Sequence, residues 1–311
     1  MKAVDQIARR LRLKDLYTLQ AVAELGSMAE ASRHLALSQP AISKAIADME
    51  HTVGAALLDR SSRGVELTDC GQLLLGRART IFDEMRQGVA DIAAMSDPTC
   101  GEIRIGTTEP LTVVLSEIIG HLSRKYPRIS YVVTISDGDT LDRDLRERKL
   151  DVLLRRWVPT LVADDLVVDV LFESPLGVLA GRNHPLLRRK RLELAELVDE
   201  RWALSPPDSF LGRVVVDVFR RRGLPLPAAV VTTVSIYMRL TLLASGKFIS
   251  VLPLTMLRHP SSSAWLRAVD VDLADTAAPI ALITMKKRRA SGPQRLFQQA
   301  SLEVCKAFVE S

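Results

Sequence analysis

The sequence predicts an all-α N-terminal unit, a long connecting helix and a C-terminal α/β domain, and three observations carry that expectation. Three short helical patterns follow one another within residues 15–58. A proline-free stretch between Thr68 and Pro98 then repeats apolar residues at steps of four and three. From Gly101 the pattern turns to short β-rich runs that alternate with helical ones.

The chain has 311 residues, of which 47% are hydrophobic and 25% charged, enough for two to three domains that each bury a core. Lysine and arginine number 42 against 37 acidic residues, a net charge of +5 that is compatible with a polyanionic partner without identifying one. Cys70, Cys100 and Cys305 lie far apart without paired spacing, so neither a zinc site nor a disulfide framework is expected. The N-terminus is basic and lacks an apolar signal core, and no stretch approaches a membrane span. These features lead to the expectation of a soluble cytoplasmic protein.

In the first helix Leu16, Leu19, Val22, Ala23 and Leu25 form the apolar set, and Gly26 ends it. Ser27 with Glu30 three residues later fits a capping box that starts a short second helix ending near residues 35–37. Ser38 is a good cap for a third helix, and Pro40 is tolerated in its first turn. Ile42, Ala45, Ile46 and Met49 recur at helical spacing and face inward, which sets Gln39, Pro40, Ser43 and Lys44 outside near the N-terminal end. An amide and a hydroxyl there suit base edges in a major groove, and a lysine suits a phosphate or guanine. The same spacing also fits a small helical bundle whose outer face is merely solvated.

The run from Ala23 to Gly71 resembles the helix-turn-helix signature of the LysR family of transcriptional regulators. The matching positions are Gly26-Ser27, Ala31, Leu35, the segment from Ser38 to Ser43, Glu50, Gly54, Leu57, Arg60, Leu67-Thr68 and Gly71. Leu58-Asp59 departs from the family, which usually has a phenylalanine before its arginine. The resemblance implies a winged helix-turn-helix over residues 1–68, with a β-hairpin wing from Arg60 to Thr68. Arg60 and Arg63 would then contact phosphates or enter the minor groove. The candidate DNA-binding set is Ser27, Arg33, Ser38, Gln39, Pro40, Ser43, Lys44, Arg60 and Arg63.

Residues 69–97 read as one linker helix. Leu74, Ala78, Ile81, Met85, Gly88, Ile92 and Met95 make a heptad seam flanked by charged residues. A helix of about 40 Å, at 1.5 Å per residue, needs a partner over such a seam. That partner is either a second copy of the chain or the helix's own domain. Pairing implies a homodimer, or a tetramer by family resemblance, reading double-stranded DNA of approximate dyad symmetry with two recognition helices. The candidate dimer seam is Leu74, Ala78, Ile81, Met85 and Ile92.

Residues 98–311 alternate strands and helices, beginning with a βαβαβ pattern. They resemble the two-lobed, type 2 periplasmic-binding-protein fold of LysR regulators. Lobe 1 is expected over about 101–165 and 272–311 and lobe 2 over about 166–271, with crossovers near Leu161 to Phe172 and Trp265 to Ala277. Ligands of such sheets lie beyond the carboxyl ends of the strands. Candidate effector contacts are therefore Thr107, Thr108, Ser136, Arg156, Trp157, Ser205, Ser235 and Ile236. Each has a plainer alternative: a hydroxyl as helix cap, an arginine paired with an acid, a tryptophan packed at a hinge. The run GEIRIGTTEP and the arginine after the third strand are similar to the branch of galactose-binding-protein regulators, which implies a sugar or sugar acid.

No P-loop, GxGxxG, HExxH or GxSxG motif occurs, and the five histidines fall in unrelated segments. No catalytic residue, metal or cofactor is expected. The expected small-molecule effector acts as a regulatory ligand, and no membrane partner is anticipated.

Overall fold

The computed structural model describes residues 7, 9–61, 64–97, 99–157, 164–258 and 260–309. It divides into two compact units, Met1–Val89 and Ala90–Ser311.

In the first unit α1 (Leu13–Leu25), α2 (Met28–Leu35) and α3 (Gln39–Val53) are followed by a two-stranded antiparallel hairpin, β1 (Leu58–Ser61) and β2 (Gly64–Leu67). The long α4 (Asp69–Ser96) comes next. Gly26 ends α1 at φ +64°, where its N–H bonds the Val22 carbonyl, a left-handed conformation that a side chain would strain. Ser27 then caps α2 by accepting from Glu30 N, while the Glu30 carboxylate lies 3.6 Å from Arg33. The Ser38 hydroxyl caps α3 by accepting from Ala41 N at 3.4 Å. Leu16, Leu19, Val22, Ala31, Ile42, Ile46 and Met49 form the core, so the helical periodicity points where the sequence places it.

The hairpin is anchored from below. Glu50 of α3 accepts from Leu57 N at 2.8 Å and Leu58 N at 3.2 Å. Gly71, in the first turn of α4, lies so close to the Leu57 carbonyl that a Cβ would come within 2.0 Å of it. This contact lets α4 pack Leu75 and Ala78 into the same core.

The second unit contains β3 (Gly101–Thr107), α5 (Thr112–Lys125), β4 (Ile129–Ile135), α6 (Gly138–Arg146), β5 (Val152–Arg156), β6 (Leu166–Ser174) and β7 (Leu176–Gly181). It continues with β8 (Ala203–Leu204), α7 (Phe210–Arg221), β9 (Val231–Thr232), α8 (Ile236–Ala244), β10 (Ile249–Pro253) and α9 (Pro260–Ser263). It closes with β11 (Leu266–Ala268), β12 (Ala278–Met285) and α10 (Gly292–Val309).

One lobe is a five-stranded sheet in the order β4-β3-β5-β12-β6, in which β3, β4 and β5 are parallel and β12 runs antiparallel to both neighbours. The other has a three-stranded antiparallel sheet, β10-β7-β11, and a short parallel pair, β8-β9. The first crossover departs from expectation. The segment Leu166–Ser174 is a nine-residue strand of the first sheet, so the chain passes between lobes at Pro175 and not near Leu161 to Phe172. Its return lies between Thr276 and Ala278, after β11 has paired with β7. Alternation in LVVDVLFES favours a half-buried edge strand once β12 offers its free side. The expected helix near Leu192 to Val198 is only a 3₁₀ turn, Leu194–Leu197.

The first sheet is held at its far end by an ionic cluster. Asp151, 5% exposed, accepts from Arg104 N at 2.7 Å and pairs with the guanidinium groups of Arg104 and Arg288, both at 2.5 Å. Arg288 also donates to the Leu150 carbonyl at 2.8 Å. Burial by itself raises the Asp151 carboxyl, but the two arginines hold it below the ordinary carboxylate range.

Candidate functional site

The N-terminal unit leaves one polar face uncommitted to its core. Gln39 and Pro40 start α3 exposed, Lys44 follows on the next turn, and Arg33 of α2 is exposed as well. Ser27 and Ser38 serve as caps, which fixes where the two helices begin and leaves their hydroxyls engaged with backbone. Ser43 differs from its expected outward position. It is half-buried between helices and donates its hydroxyl to the Met28 sulfur at 3.4 Å. Arg60 lies in β1 of the hairpin, and Arg63 lies outside the described residues. A helix with short polar side chains at its exposed N-terminal end can enter a major groove, with a β-hairpin alongside to touch the phosphate backbone.

The seam expected along α4 splits in two. Leu74 is half-buried and Ala78 fully buried in the unit's own core, because Gly71 draws the start of the helix onto Leu57. Beyond that point Ile81, Met85, Val89 and Ile92 stand exposed, Val89 and Ile92 by 69% each. An apolar row of that kind on a 28-residue helix has the spacing and exposure that suit pairing with another chain. Val89, absent from the expected seam, is exposed beside Gly88.

In the second unit several expected ligand contacts turn inward. Thr107 is wholly buried and donates its hydroxyl to the Leu154 carbonyl at 2.8 Å, stitching β3 to β5. Trp157 is 8% exposed and packs with Leu141, Leu145, Leu153 and Ile283, so it is a core residue and offers no stacking face. Arg156 donates from Nη1 to the Ser174 carbonyl at 2.8 Å and from Nη2 to the Thr276 carbonyl. Those carbonyls flank the two crossovers, so this guanidinium staples the hinge instead of gripping a ligand. Burial lowers its pKa, opposed by the charge of Glu173. Ser205 is buried at the end of β8.

The remaining candidates lie at the ends of β3 and β4 and at the start of α8, where Glu109 ties one lobe to the other. Thr108 is half-buried ahead of the 3₁₀ turn Glu109–Leu111, and Ser136 donates its N–H to the Thr107 carbonyl at 3.2 Å. Ser235 caps α8, with its hydroxyl accepting from Met238 N at 3.2 Å. Ile236 has a buried side chain, but its N–H donates to Glu109 Oε2 at 2.9 Å, and Tyr237 N donates to Oε1 at 3.3 Å. Sequence reasoning passed over Glu109 and, one turn along α8, Arg239, which is 1% exposed. The signal for Arg239 was available as a lone charge in the apolar run IYMRLTLLA; for Glu109 there was none beyond its place after Thr107-Thr108.

Comparison with known proteins supports both halves. Residues 13–72 match the model of the bacterial regulatory helix-turn-helix protein, lysR family, and residues 96–306 match the LysR substrate binding domain. Over 244 residues the chain is 30% identical to the HTH-type transcriptional regulator GbpR of Azospirillum brasilense, covering 78% of this chain and 71% of that protein. It is 28% identical over 248 residues to the HTH-type transcriptional regulator TdcA of Escherichia coli, covering 79% and 78%. A full-length OxyR variant from Pseudomonas aeruginosa shares the fold, with a TM-score of 0.71 at 18% identity over 95% of both chains.

Proposed function

The chain belongs to the LysR family of bacterial helix-turn-helix regulators, transcriptional regulators and not enzymes, and on that premise we propose how its parts divide the work. Residues 1–68 bind double-stranded DNA, with Gln39, Pro40 and Lys44 of α3 at the major groove together with Arg33, and with Arg60 of the hairpin and Arg63 on the phosphate backbone. Ser27, Ser38 and Ser43 position those helices. Residues 69–97 pair two copies through Ile81, Met85, Val89 and Ile92, so that two recognition helices read two half-sites of approximate dyad symmetry. Residues 98–311 hold a small-molecule effector, a sugar or small organic acid, at the mouth between the lobes near Thr108, Ser136, Ser235 and the N-terminus of α8. No cofactor is needed for this role, and the cytoplasm is where DNA and effector meet.

The observation that carries the reading is the exposed polar start of α3, set on a core that takes Ile42, Ile46 and Met49 of the helix. Selection of genomic fragments by the full chain at physiological salt tests it. Enrichment of a few dyad-like sites is the expected result, and recovery of bulk DNA alone would remove the proposal. The effector acts only if it favours one arrangement of the dimer over another, so it must change the footprint or the bend of the selected DNA.

A further inference from the structure

Glu109 belongs to the turn that follows β3 in one lobe, and its carboxylate closes on the N-terminus of α8 in the other. It accepts from Ile236 N at 2.9 Å and from Tyr237 N at 3.3 Å. The first amides of a helix lack intrahelical acceptors and stand at the positive end of its dipole, so they favour an anion. Ser235 is committed to Met238 N, which leaves those two amides to the glutamate.

A second observation points to the same chemistry. Arg239 is 1% exposed and lies within electrostatic range of Glu109, yet its Nε and Nη1 have no hydrogen-bond partner among the described residues. Burial draws this guanidinium down to about 10, against the opposing charge of Glu109. Buried donors left open are costly to a fold, and here they sit one turn from two amides held by a carboxylate. Glu109 is tethered to the other lobe and satisfies only part of this donor set. A free carboxylate has no such tether.

We propose that Glu109 stands in for the effector: the cleft takes a small molecule bearing a carboxylate, which replaces Glu109 at Ile236 N and Tyr237 N and pairs with the open N–H groups of Arg239. This rests on the effector reading above and names the chemical class within it. Displacement also breaks a direct tie between the lobes, which gives the ligand a differential grip on two arrangements of the domain. A neutral sugar lacks the charge that the site's donors call for.

The test uses the full chain, Glu109→Ala, with acetate as the probe and acetamide as its neutral counterpart of equal size. Acetate is expected to raise the melting temperature of E109A saturably, at a midpoint concentration at least about tenfold lower than in the unsubstituted protein, where Glu109 competes. Acetamide is expected to do nothing in either. Should E109A fold poorly, Glu109→Gln, which keeps the side-chain volume and one acceptor oxygen but loses the charge, is expected to shift the acetate midpoint in the same direction by a smaller factor. Arg239→Lys in the E109A background is expected to weaken acetate several-fold. Equal responses to acetate and acetamide, or one acetate midpoint for both proteins, would overturn the inference. DNA footprints of the same samples separate it from its premise. Acetate binding with an unchanged footprint removes the effector reading and leaves the carboxylate site; a footprint moved by glucose and not by acetate does the reverse.

Discussion

The polar residues at the start of α3 and those at the mouth between the lobes look alike in the sequence and behave differently in the structure. Gln39 and Lys44 stand exposed on a helix whose Ile42, Ile46 and Met49 are buried inside. Thr107 and Arg156, at the ends of strands, spend their donors on backbone carbonyls of the protein itself. A polar side chain on a small surface helix has water as its alternative partner, whereas one at a strand end beneath a crossover meets unpaired carbonyls that must be satisfied. The difference teaches that position in the fold, more than residue type, decides whether a donor is free to meet a ligand.

That contrast can be broken by asking whether each substitution costs stability or binding. The largest expected effect is on stability alone. Asp151→Ala removes the carboxylate shared by the half-buried Arg104 and the buried Arg288, and should cost the second unit about 3–5 kcal/mol in chemical denaturation, with the N-terminal unit unaffected. The same carboxylate predicts an acid dependence. Its folded pKa lies below its unfolded one, so its contribution is complete above the ordinary aspartate value and is lost as pH falls through the lowered folded value. A denaturation series in acid should therefore show the loss in the unsubstituted protein and not in D151A.

Arg156→Met should come next, costing about 1–3 kcal/mol of stability because two carbonyls at the crossovers lose their donor. Were Arg156 a ligand contact, effector affinity would fall and melting would not. On the other side of the contrast, Gln39→Ala should weaken specific DNA binding by about 1–3 kcal/mol and leave the melting temperature unchanged, as read by fluorescence anisotropy on a selected site. Ser43→Ala, whose hydroxyl faces Met28, should have the smaller effect on binding of the two, and an equal loss would mean that this hydroxyl turns to the DNA in the complex. The smallest expected change is in Lys44→Ala, which should lower affinity on all sequences alike and reduce the salt slope by about 1.

The linker helix shows the limit of reading periodicity. The steps from Leu74 to Ile92 announced one apolar stripe, yet its first two members belong to the core of the N-terminal unit and only the later ones are bare. A stripe in a sequence does not say which stretch of it a neighbouring element covers. The close approach of Gly71 to the Leu57 carbonyl decides that here, and it is a contact between segments.

What the sequence determined by itself is local and periodic. It includes the three helices, the caps at Ser27 and Ser38, the stop at Gly26 and the first parallel strands, because propensity, capping and hydrophobic spacing act within a few residues. Only the tertiary structure decided that Leu166–Ser174 is a strand of the first sheet, that Arg156 staples the hinge, and that Glu109 lies on the start of α8. Each of these depends on a partner 18 to 127 positions away along the chain, and no local pattern carries the distance between residues that meet only when the lobes are built.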